Sequence, residues 1–115
     1  MAFQLKNQTT TYKWPAVVEF PVDGGKYDKE TFDVEFKRVP QDRLREIGTA
    51  IDSGDITDND LVIELVVGWA GISDSKGDDL PFSQAALEEL LNVPLVASAI
   101  AAAWLESLAK GKRKN

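Results

Sequence analysis

The chain contains no cysteine and no histidine. The commonest general base, the commonest transition-metal ligand and the usual thiol nucleophile are therefore missing, and no disulfide can form. Any catalysis would have to rest on carboxylates, lysines or hydroxyls. Long apolar runs are also lacking: the uncharged stretch from Val93 to Leu105 falls short of the ~20 residues that a bilayer span needs. The first residues, Met1-Ala2-Phe3-Gln4-Leu5-Lys6, have no apolar segment behind a basic start and do not read as a secretory signal. These absences set the expectation of a soluble cytoplasmic protein that is neither exported nor inserted into a membrane.

What is present suffices for one core. The 115 residues, 43% of them hydrophobic, match a single modest domain. It is expected to fill residues 1–109, with a basic, disordered tail over 110–115. Lys110, Lys112, Arg113 and Lys114 put four positive charges in the last six residues, so a chain of formal charge −6 carries −10 on the 109 residues before them. An acidic body repels phosphate backbones and argues against a nucleic-acid partner. Solubility is the plain reason for such acidity.

Pro15 to Val22 and Thr31 to Val39 read as the strands of a hairpin around Asp23-Gly24-Gly25-Lys26, a turn whose glycines tolerate positive φ. Phe32, Val34 and Phe36 alternate with Asp33, Glu35 and Lys37, which puts the aromatic face against a core. Pro21 cannot donate to a ladder, so the first strand is expected at an edge or interrupted there. Residues 3 to 13 read as a further short strand. After Pro40, Leu44, Ile47 and Ile51 follow helical spacing until Ser53-Gly54. Thr57 or Asp58 then caps a helix expected to run through Leu61 and Leu65 to Trp69, although Val62, Ile63, Val66 and Val67 are β-branched and also suit a buried strand. Gly71 to Asp79 is a polar loop. Ser83 caps a helix through Leu87, Leu90 and Leu91, and Pro94 opens a last one reaching about Ala109. The fold class is α+β: an N-terminal antiparallel β-hairpin or small sheet followed by about four α-helices.

The search for chemistry returns little. Asp55, Asp58 and Asp60, and again Asp74, Asp78 and Asp79, lack the spacing of a calcium loop and are better placed to cap helices and shape turns. No phosphate-cradling glycine loop is present, and no catalytic residue, metal or cofactor is expected. The last helix is the informative feature, because it is apolar or small on every face. Either it is the central core helix, or one side meets the core while its alanines meet a partner. Val96, Ala99, Ile100, Ala102, Ala103 and Trp104 are therefore the candidate partner-binding or oligomerisation residues, with Trp69 and Phe82 as structural anchors around the central loop.

The ordered run Val66-Val67-Gly68-Trp69-Ala70-Gly71-Ile72, then Asp74, Gly77, Leu80-Pro81-Phe82-Ser83, Leu87, Leu90 and Leu91, and last a Pro-led, alanine-rich helix, resembles the tail assembly chaperones of long-tailed bacteriophages. The sheet-forming segment Phe32 to Arg38 fits the same pattern. The resemblance implies a non-enzymatic assembly factor of the host bacterial cytoplasm, absent from the mature virion. Such proteins bind the long helical tape measure protein, keep it soluble and help recruit the tail tube protein. It further implies homo-oligomers. The family also commonly makes a longer product by ribosomes slipping back one nucleotide, and Arg113-Lys114-Asn115 is compatible with a slippery adenine run. The tail equally reads as cations and a glycine stop favouring a helix C-terminus. Two other functions stand beside the chaperone: a small acidic adaptor or inhibitor of a host protein, and a carboxylate enzyme. The enzyme would need acids of raised pKa in a pocket, whereas most acids here sit in turns and at helix starts.

Overall fold

A computed structural model describes residues 9–109. Residues 3–8 of the expected extra strand and the basic tail 110–115 lie outside the described residues. The architecture is α+β, a three-stranded antiparallel sheet and four helices.

The hairpin joins β1 (Thr11–Val22) to β2 (Lys26–Lys37), with Val22 opposite Lys26 and with Gly24 and Gly25 at φ 83° and 74° in the turn. β1 ends at Val22 as expected but starts four residues earlier, β2 starts and ends before the expected Thr31 and Val39, and residues 11–13 continue β1 rather than forming a separate strand. The reason lies in the inward alternation, which starts early: Tyr12, Trp14, Ala16, Val18 and Phe20 share a face, and Trp14 pairs with Val34 and Ala16 with Phe32. β1 is an edge strand, where Pro15 and Pro21 cost no ladder bond.

Next come α1 (Gln41–Ser53), α2 (Asp58–Leu65), β3 (Val66–Ala70), α3 (Gln84–Leu91) and α4 (Val96–Ala109). Gly54 ends α1 in the left-handed region, its amide bonded to the Ala50 and Ile51 carbonyls. A capping box starts α2: the Asp60 amide donates to the Thr57 hydroxyl, and the Thr57 amide to the Asp60 carboxylate.

The helix expected to reach Trp69 stops at Leu65, and Val66 to Ala70 form a strand instead. β2 would otherwise leave a row of unpaired backbone groups on its side away from β1. β3 occupies that edge, with Val66 opposite Phe36 and Trp69 opposite Val34. Three residues, Val66 to Gly68, face only Phe36 and Glu35, so Val67 is the extra residue of a bulge. Pairing thus overrides helical spacing in a segment whose β-branched residues permit either state.

The last helix begins at Val96, later than Pro94. Leu95 takes φ 77°, a left-handed backbone rare for a side chain of its size, at the corner where α3 and α4 meet at 106°. α4 lies against β1 and also touches α2 and α3, so it closes the core over the inner sheet face. Val18, Val34, Phe36, Ile47, Leu65, Leu87, Ile100 and Trp104 form one continuous cluster. No single helix among the described residues is long and apolar enough to cross a bilayer.

Candidate functional site: the outer side of the last helix

α4 has one side in the core and one side open to solvent. Val96, Ile100, Ala103 and Trp104 are buried in the core, Ala99 is half-buried, and Ala102 faces solvent. Of the six candidate residues, four are thus core residues in the single chain. The structure leaves Ala99 and Ala102 on the accessible side.

That side continues beyond the two alanines. Ser98, Ala102, Leu105 and Ala109 follow one another along α4 at intervals of four, three and four, the spacing of a seam that meets another helix, and Leu95 flanks them just before the helix begins. Leu95 and Leu105 are 48% and 44% exposed. The one polar member is internally satisfied, since the Ser98 hydroxyl donates to the Leu95 carbonyl at 3.1 Å. Beside the seam, Ala99, Ala102, Ala103 and Glu106 form one wall of a groove of about 380 Å³. The other wall is Pro15 and Val17 of β1, with Val17 45% exposed. A second groove, of about 470 Å³, runs from Leu95 and Ser98 to Thr57, Asp58 and Asn59 at the start of α2.

Leu95, Leu105, Pro15 and Val17 escaped the sequence reading. The three-four spacing was visible in the residues, but a helix apolar all round gives no phase, so its outward side could not be chosen. The approach of β1 to α4 is a tertiary fact with no local signal.

The two anchors come together. The Trp69 and Phe82 rings meet edge to face at 4.9 Å and 79°, and the Trp69 indole N–H donates to the Leu80 carbonyl at 2.8 Å. They pin both ends of the loop between β3 and α3 to the sheet. Within that loop the Asp74 carboxylate accepts from the amides of Lys76 and Asp78. Asp60 is engaged at its cap, and Asp55 accepts from the Ser53 hydroxyl at 2.9 Å. Among the described residues no three metal-binding side chains converge.

Arg43 donates from Nε and Nη2 to the two carboxylate oxygens of Glu64, at 2.7 and 2.5 Å, and from Nη1 to Glu46 at 2.9 Å. The fork ties α1 to α2. Its hydrogen bonds hold the Glu64 carboxyl below the usual carboxylate range, and the charges of Arg43 and Lys37 act in the same direction. A carboxylate held ionised in this way suits an ion pair rather than an acid catalyst. The outer side of α4 offers apolar surface.

Comparison with known proteins gives no match to a family model, a curated protein or a solved structure.

Proposed function

We propose that the protein is a non-catalytic phage tail assembly chaperone that binds the tape measure protein, keeps it soluble and helps bring tail tube protein to it. The observation that carries this reading is the outer side of α4, where Ser98, Ala102 and Leu105 are exposed and Leu95 stands exposed just before the helix, so that two large apolar side chains are open to water. A long helical protein awaiting its tube presents apolar stripes of its own, and two such surfaces bury each other as helix against helix. The net charge of −6 disperses the complex once the apolar surfaces are covered. The order of motifs from Leu61 to Leu108 supports the same reading, and tube recruitment falls to a longer product of the same gene.

Co-expression with the long helical protein encoded nearby tests the proposal. The partner moves from the pellet to the soluble fraction and co-purifies with the chaperone. A partner that stays insoluble, or that dissolves equally well alone, removes the reading.

A further inference from the structure

β1 leaves one edge of the sheet open. The Thr10 carbonyl, next along the register from Thr11 and Lys37, accepts the Arg38 amide at 3.0 Å, so the even-numbered residues of β1 bond to β2. The backbone groups of Thr11, Lys13, Val17 and Glu19 therefore point away from the sheet. Pro15 and Pro21 share that parity and offer no amide there, which blunts the edge from Pro15 onward. No proline guards Thr11 to Lys13.

The open edge runs beside a groove. Pro15 and Val17 belong to the outer face of the sheet, whereas Ala99, Ala102, Ala103 and Glu106 belong to the helix on its inner face. The groove of about 380 Å³ lined by both sets follows the edge between them. The Tyr12 and Ser107 hydroxyls meet at 2.7 Å, which sets Ala103, one turn earlier in α4, level with Trp14 and Pro15.

The residues ahead of β1 match the edge and the groove together. The chain bends at Thr10, and the Thr9 hydroxyl donates to the outward-facing Thr11 carbonyl at 2.7 Å, so the chain enters β1 from its open side. Earlier in the sequence, Phe3 and Leu5 alternate with Ala2, Gln4 and Lys6, a period of two with one large apolar side. We propose that residues 2–6 turn back along β1 as a fourth, antiparallel strand, with Lys6 opposite Thr11 and Gln4 opposite Lys13. In that register the outward backbone groups of Thr11 and Lys13 gain partners. Leu5 falls opposite Tyr12 and Phe3 opposite Trp14, and because paired residues share a face, both turn toward the core side, with Phe3 at the groove. An apolar cavity of ~150 Å³ holds a benzene ring, so the groove has room for Phe3. The ladder ends where Ala2 meets Pro15, and the prolines protect the edge beyond it. A slip of one residue would turn Phe3 and Leu5 to water, which fixes the register. The strand closes the edge against pairing with foreign chains. It goes beyond the chaperone reading and does not depend on it, since Leu95 and Leu105 lie outside this groove and stay open to a partner.

A chain without cysteine permits a disulfide test in the full protein. Residues directly opposite in an antiparallel pair hold their Cα atoms ~4.5–5.5 Å apart, within the span of a disulfide. Gln4→Cys with Lys13→Cys, both on the outer face, closes under mild oxidation about tenfold faster or more than Leu5→Cys with Lys13→Cys, whose side chains lie on opposite faces. Adding Phe3→Ser to the first pair brings its rate down to that of the second. Lys13 is exposed, so its replacement leaves the core untouched. Amide exchange of the unsubstituted chain gives an independent readout: the Lys13 amide exchanges slowly, and the Val17 amide, beyond the new ladder, exchanges fast. Equal closure rates for the two cysteine pairs, or Lys13 and Val17 amides that exchange alike, overturn the proposal.

Discussion

Glu64 and Trp69 illustrate how single side chains hold this small domain together. Because the Arg43 hydrogen bonds lower the folded-state pKa of Glu64, the carboxylate adds stability above its unfolded pKa of 4.5, and that contribution is lost as pH falls through the lower folded value. Glu64→Gln should therefore melt below the wild type at neutral pH, with the gap closing in acid; equal gaps at both pH values in thermal melts would contradict the ion-pair account. Trp69→Ala removes both the contact with Phe82 and the bond to Leu80. Its cost should fall toward the lower end of the ~3–5 kcal/mol typical of a buried tryptophan, since the indole is only part-buried. Trp69→Phe should lose about 1 kcal/mol, the worth of a single hydrogen bond, by chemical denaturation. At this scale the sequence was legible wherever chemistry is local. Ser83 caps the helix it was expected to cap, and of the two candidates Thr57 and Asp58 it is Thr57 that caps α2, because a side-chain oxygen three residues before an amide needs no tertiary help.

Among the elements, α2, β3 and α4 mark where local reading ends. Val62 to Val67 present the same residue types to a helix and to a strand, and the choice at Val66 is made by the open edge of β2 far back in the sequence. Nothing within the segment encodes that edge. In α4 the composition revealed an unusual helix but not its phase, which β1, α2 and α3 fix by covering Val96, Ile100 and Trp104. The hairpin, by contrast, was legible from Phe32, Val34 and Phe36 and the Gly24-Gly25 turn. The phase of α4 leads to a paired prediction. Ile100→Arg buries a charge without a partner and should abolish cooperative melting. Ala102→Arg, on the outer side of the same helix, should change stability by no more than about 0.5 kcal/mol, as is usual for surface substitutions. If Ala102→Arg unfolds the protein in a circular-dichroism melt, the outer side is core and the candidate site is misplaced.

For the molecule as a whole, the features combine into a body of net charge −6 with an accessible apolar side on α4. Under the proposed function, such a chain would cover a helical partner through that side. The most direct measurement of the central claim is the soluble yield of the tape measure protein co-expressed with the wild type or with a doubly substituted seam, Ala102→Arg with Leu105→Arg. The account predicts soluble, co-purifying partner with the wild type, and insoluble partner beside a folded, abundant double variant. Equal solubilisation by both proteins would show that the seam of α4 is not the surface that binds.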